Sequence, residues 1–154
     1  MSTMNDVPLA DDTLRLIADA RQESIRMQHE YIGTEHLLLA LTRDDVDRIA
    51  SPLVELGVDI ARANLLLEQT VRGGRDPVRK DLDRPFTSRT KQVFVYAEDA
   101  ARELGRSQVD VGHVVYGIMR EQRGIAAQVL QDSGVTVELV RNIIRQAASR
   151  GGAQ

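Results

Sequence analysis

The chain has no cysteine and no tryptophan, and aromatic residues make up only 3% of its 154 positions. Without cysteine there is no disulfide and no thiolate chemistry, and a reducing compartment is permitted. So few rings exclude a base-stacking platform for single-stranded nucleic acid and require an aliphatic core. No run of 18 apolar residues occurs, so no transmembrane helix is expected. Met1 to Leu9 lack the basic start and apolar run of a secretory signal, which makes a cytoplasmic protein the expectation. A net charge of −3 gives no overall attraction to nucleic acid or to an anionic membrane. No phosphate loop of the form G-x-x-x-x-G-K-[ST] is present, and no nucleophile stands in a recognisable arrangement with a base. Neither an enzyme nor a bound cofactor is expected.

What the chain does have is a repeat. A shift of 77 positions lays residues 13–70 on residues 90–147 without a gap, and nine positions are then identical: Thr13/Thr90, Ala20/Ala97, His36/His113, Arg43/Arg120, Ala50/Ala127, Leu53/Leu130, Gly57/Gly134, Val58/Val135 and Gln69/Gln146. Two copies of a helical unit do not make a solenoid. Each carries more apolar surface than it can bury alone, so the two are expected to pack on each other about a pseudo-twofold axis.

Within each copy the spacing predicts four helices, about eight in all, and an all-α fold. The first starts at Asp11 and Asp12, with Leu14, Ile17, Ala18, Arg21 and Ile25 as its stripe; its counterpart starts at Thr87, presents Val93, Phe94, Ala97, Ala101 and Leu104, and ends at Gly105. The second helix begins at Thr34 or Asp110, both competent caps. A third ends at Gly57 or Gly134, and a fourth is capped by Asp59 or Thr136. The expected divisions are an arm over 1–10, the first repeat over 11–72, a linker over 73–86, the second repeat over 87–148 and a frayed tail over 149–154, forming one globular domain. Arg72 to Lys91 holds seven basic residues against three acidic ones, as a solvated linker would, or as a strap for phosphate or acidic groups.

The segment from Tyr31 to Leu41, reading Y-I-G-T-E-H-L-L-L-A-L, closely resembles the signature helix start of the Clp amino-terminal domain. The resemblance extends to Ala20–Ser24, to Gly124–Leu130 and to the duplication itself, covering about residues 9–148. It implies a non-catalytic double repeat that recruits client or adaptor proteins to an ATP-driven Clp unfoldase–protease, or a stand-alone accessory protein of that system. It further implies a reader of phosphorylated arginine, with a glutamate of the G-T-E-H motif on the guanidinium and a threonine near the start of each copy's first helix on the phosphate. A carboxylate accepts the paired N–H donors of a planar guanidinium, and helix N-termini favour a phosphate.

Carried over residue by residue, these roles fall on Gly33, Thr34 and Glu35 in the first copy, which has Ala10 at the early threonine. In the second copy they fall on Thr87, within Pro85-Phe86-Thr87, and that copy has Gly112 where the glutamate would stand. Read copy by copy, neither site is complete: the second is expected to be dead and the first weak. A cyclic peptide is the alternative small ligand. Glu35 also suits a helix start whatever else it does.

His36 and His113 occupy equivalent helix starts; with only His29 as a third imidazole, local capping rather than a metal site is expected. Tyr96, Tyr116, Phe86 and Phe94 give the second copy most of the rings, as core filling or as a partner-binding patch. Asp44/Asp45, like Asp11/Asp12, have the composition of caps and turns.

Overall fold

The computed structural model describes residues 7–43, 52–74 and 84–151. The helices are α1 (Asp11–Arg26), α2 (Thr34–Leu41), α3 (52–55), α4 (Ile60–Thr70), α5 (Ser88–Glu103), α6 (Val111–Glu121), α7 (Ile125–Asp132) and α8 (Val137–Gly151). Residues 149–151 continue α8 rather than fraying from it. The start of the third predicted helix, the Asp44/Asp45 pair, residues 75–83 of the basic stretch and the last three residues lie outside the described residues.

The central helices are α2 and α6. Leu37 through Leu41 are all fully buried, as are Val114, Val115 and Ile118. A helix apolar on every side must be covered on every side. The first helix of each copy packs on its own second helix, and α7 packs on both α2 and α6. At Gly117 the approach of α6 to α5 is close enough that a Cβ would collide with the Val93 carbonyl oxygen; the equivalent residue of the first copy is Ala40.

The copies are joined by two short parallel bridges, Leu9 with Val109 and Ile32 with Phe86. The shift of 77 turns one bridge into the other: Leu9 becomes Phe86 and Ile32 becomes Val109. The hydrogen bonds obey the same exchange. Ala10 N–H donates to Val109 O (2.9 Å) and Val109 N–H to Pro8 O (2.8 Å), while Thr87 N–H donates to Ile32 O (3.0 Å) and Ile32 N–H to Pro85 O (2.8 Å). The segment entering the first helix of each copy is therefore paired with the segment entering the second helix of the other.

Three local expectations are corrected. The buried face of α1 is Thr13, Leu16, Ala20, Glu23 and Ser24, not the stripe from Leu14 to Ile25; Leu14 is 52% exposed. The polar members of that face are satisfied where they lie, Thr13 donating to Val109 O (2.7 Å) and Ser24 to Arg21 O (2.8 Å), so burial costs little. The N-cap of α1 is Ala10, with Asp11 and Asp12 inside its first turn. The N-cap of α2 is Gly33, Thr34 being its first helical residue. Thr87, Asp110, Asp59 and Thr136 do cap as predicted, each accepting a backbone N–H three residues on. Gly57, Gly105 and Gly134 follow their helices with φ of +78°, +68° and +89°, values that a side chain would strain.

Candidate ligand cleft between the copies

Three helices begin at one open cleft of about 530 Å³. Thr34 and Glu35 come from α2, Thr87, Ser88 and Arg89 from the start of α5, and Gly124 and Ile125 from the start of α7, with Arg123 at the rim. The cross-copy bridges bring this about. By tying Ile32 to Phe86, they set the residues that follow, Gly33-Thr34-Glu35 and Thr87-Ser88-Arg89, side by side. The threonine of the second copy and the glutamate of the first thus line the same cleft, and the pairing expected within each copy is not the spatial one.

Gly33 carries no side chain, and the Glu35 carboxylate folds back into the space a Cβ would need. Thr34 is buried, and a Cβ on Gly124 would collide with its hydroxyl, so the starts of α2 and α7 are in contact. Thr87 Oγ1 accepts from Thr90 N–H (3.1 Å) and donates to Thr90 Oγ1 (2.9 Å). Glu121 organises the opposite wall. One carboxylate oxygen accepts from Gly124 N–H (2.8 Å) and Arg123 N–H (3.2 Å), and the other pairs with Arg89 at 2.9 Å. Helix starts favour an anion through their aligned backbone dipoles, and the Arg89 and Arg123 side chains line the same cleft, with Glu121 already on Arg89 and on the Gly124 N–H.

Of the five residues the sequence singled out, Thr34, Glu35 and Thr87 line the cleft and Gly33 lies directly behind Glu35. Phe86 does not belong to it. It stacks on Phe94, with ring centroids 5.1 Å apart and planes 6° apart, and lines a separate groove of about 190 Å³ with Val7, Leu9 and Lys91. Ser88, Arg89, Arg123 and Gly124 were not anticipated. The available signal was the start of α7, whose Gly124-Ile125 the sequence reading used for resemblance only.

The pseudo-twofold equivalent of the cleft has changed character. Ala10 stands for Thr87, Asp12 for Arg89, Asp110 for Gly33, Val111 for Thr34 and Gly112 for Glu35. Asp11 and Asp12 lie in the first turn of α1, and Asp110 caps α6. Carboxylates of the chain thus meet the starts of α1 and α6 here, as Glu121 meets the start of α7 in the first cleft.

The histidines cap as expected, each by accepting a backbone N–H. His36 Nδ1 accepts from Gly33 N–H (2.8 Å) and His113 Nδ1 from Asp110 N–H (2.9 Å). Each ring therefore carries its proton on Nε2. In the first copy a relay follows, from His36 Nε2 to His29 Nδ1 (2.7 Å) and from His29 Nε2 to the Arg72 carbonyl (2.7 Å). Burial, then His29 and Arg26, push the His36 pKa down to about 3, so its ring is neutral. Glu35, His29 and His36 place a ligand atom each within 4.8 Å of one another. Metal binding there would need a free lone pair on each ring, and the bonds just described use both lone pairs.

Tyr116 is buried, and its hydroxyl accepts from Arg120 (3.0 Å) and Arg141 (3.1 Å); the Arg120 guanidinium also lies 4.9 Å from the centre of the Tyr96 ring. These rings and cations tie α6 to α5 and α8.

Fold and cleft together define an all-α double repeat with an open cleft at the joint between the copies. The chain matches the Clp repeat (R) N-terminal domain over residues 8–132 and again over 85–154, and it belongs to that family. It is 32% identical over 91% of its length to the chaperone protein ClpB of Oceanobacillus iheyensis, covering 17% of that protein. It is 33% identical over 86% of its length to the negative regulator of genetic competence ClpC/MecB of Bacillus subtilis, covering 16% of it. The chain thus spans about a sixth of the length of these relatives. In structure it is similar to the N-terminal domain of the chaperone ClpD from Arabidopsis thaliana, with a TM-score of 0.64 and 23% identity, covering 95% of this chain and 97% of that one. Among the described residues no helix is long and apolar enough to cross a membrane.

Proposed function

We propose that this chain is a non-catalytic recognition module of a Clp unfoldase–protease system, acting in the cytoplasm to present client or adaptor proteins to an ATP-driven partner. Its reading site is the cleft at the starts of α2, α5 and α7, and the ligand is a phosphorylated arginine side chain. The observation that supports this most is the polarity of the cleft. The Glu35 carboxylate lines the cleft together with the starts of α5 and α7 and with Arg123 and Arg89, the latter paired with Glu121. A ligand with a cationic planar group joined to a dianionic one matches both kinds of group, the guanidinium on Glu35 and the phosphoryl on Thr87 and the helix starts. Neither alone selects it: Glu35 suits any basic side chain, and the helix starts suit any phosphate.

A calorimetric titration of the chain with phosphoarginine tests the reading. Saturable binding at one site per chain, lost in Glu35→Ala, is expected. No binding would leave a protein-docking module, which pull-down against Clp ATPases and adaptors would then address. A second reading, capture of an apolar or cyclic peptide, is favoured by the Phe86–Phe94 groove and would be insensitive to Glu35→Ala.

A further inference from the structure

The two copies handle the same histidine differently. In the first, His36 Nε2–H donates to His29. The equivalent of His29 is Arg106, which is itself only a donor, so His113 has no such acceptor in the second copy. His113 is 2% exposed, its Nδ1 is committed to Asp110 N–H, and burial keeps the ring neutral with its proton on Nε2. Among the described residues nothing accepts from that Nε2–H, and none is paired with the Arg106 side chain.

Both residues line a pocket of about 220 Å³ between α1, α3, α6 and α8. The Nε2–H is not sealed from solvent, and a carboxylate in the pocket would accept charge-assisted hydrogen bonds from it and from the Arg106 guanidinium. The pocket is below the roughly 300–1,000 Å³ of sites for drug-sized molecules, which suits a single residue. Gly112 leaves the space open, since a Cβ there would lie 3.1 Å from Asp110 Oδ1 and 3.3 Å from Ile144 Cγ2. The remaining lining is of two kinds. Ile143 and Ile144 form an aliphatic wall, and Asp12, Asp110 and Glu55 supply acid groups. Those acids disfavour a simple anion and favour a ligand that brings a cation with its carboxylate.

We propose that this pocket binds the C-terminal residue of a protein chain when that residue is basic. The free carboxylate meets Arg106 and His113 Nε2–H, the aliphatic stem lies on Ile143 and Ile144, and the side-chain cation meets the acids.

The test uses the full chain and Nα-acetyl-lysine as a chain-end mimic, followed by the NMR signals of the His113 ring. Saturable shifts are expected. The amide of that compound, lacking the carboxylate, and Nα-acetyl-norleucine, lacking the cation, should each bind about tenfold more weakly or worse, a difference of about 1.4 kcal/mol. Free lysine, with an ammonium beside its carboxylate, should also bind more weakly; tighter binding than the acetylated form would overturn the chain-end assignment. Arg106→His supplies the acceptor that the first copy has, so it should abolish binding while keeping or raising thermal stability. Equal binding by Arg106→His or by the amide, or no shift with any of the compounds, overturns the proposal. Glu35→Ala should bind Nα-acetyl-lysine as the parent does, which separates this pocket from the cleft on the other side.

Discussion

Glu35 and Thr87 belong to different copies of the repeat, yet they line one cleft, because Ile32 pairs with Phe86 immediately before both. The same exchange brings Ala10 and Gly112 together on the opposite side, since Ala10 is bonded to Val109. Two losses that look distributed over two sites in the sequence therefore fall on one site in space, and the other keeps both its glutamate and its threonine.

Phosphoarginine affinity should depend equally on residues from both copies. Glu35→Ala and Thr87→Ala are each expected to weaken binding about tenfold or more, at roughly 1.5–3 kcal/mol for a charge-assisted hydrogen bond. Calorimetry checks this, with helicity from circular dichroism as the control for folding. A loss in Glu35→Ala with none in Thr87→Ala would contradict the shared cleft.

Restoring a second site should take more than Gly112→Glu. A side chain at 112 meets Asp110 Oδ1 and Ile144 at contact distance, and Ala10 still supplies no hydroxyl. The single variant is expected to lower thermal stability and leave one site per chain. Ala10→Thr, Asp110→Gly, Val111→Thr and Gly112→Glu combined should raise the titrated stoichiometry toward two.

Acid should weaken the fold through the histidine relay. His36 has its pKa lowered from 6.5 to about 3 by burial, so between those values the unfolded chain binds the extra proton and the native chain does not. Stability is then fully present above about 6.5 and falls as the pH drops toward 3, by about 1.4 kcal/mol for each pH unit in that window. Urea unfolding at pH 7, 5 and 4 measures the slope. His36→Asn, which keeps an acceptor for Gly33 N–H without a titrating ring, should flatten it.

Gly117→Ala should cost roughly 2 kcal/mol, because the added methyl collides with the Val93 carbonyl and α5 must move off α6. A thermal melt reads this directly. Ala40→Gly, at the equivalent place in the first copy, should cost only about the 1 kcal/mol of a glycine within a helix.

Much of this was legible in the chain alone. The gapless shift of 77 gave the helices, their equivalences and the caps at Thr87, Asp110, Asp59 and Thr136, because capping and periodicity act between residues a few positions apart. The G-T-E-H segment also pointed to a helix start that lines the open cleft. The stripe on α1 was misread for a physical reason. Thr13 and Ser24 are polar in composition, but each spends its hydroxyl on a backbone carbonyl, and Thr13 finds its acceptor, Val109, only in the other copy.

By itself, then, the sequence determined an all-α duplicated fold and its aliphatic core, since local spacing and composition are enough for those, and its family resemblance singled out the candidate site residues. Tertiary structure decided which eligible residues meet. Short bridges between Leu9 and Val109 and between Ile32 and Phe86 cross the copies, so Glu35 gains Thr87 while Gly112 is left with Ala10. It also decided that His36 closes a relay on His29 while His113 lines a pocket with Arg106, because hydrogen-bond partners are set by contacts in space that no spacing along the chain records.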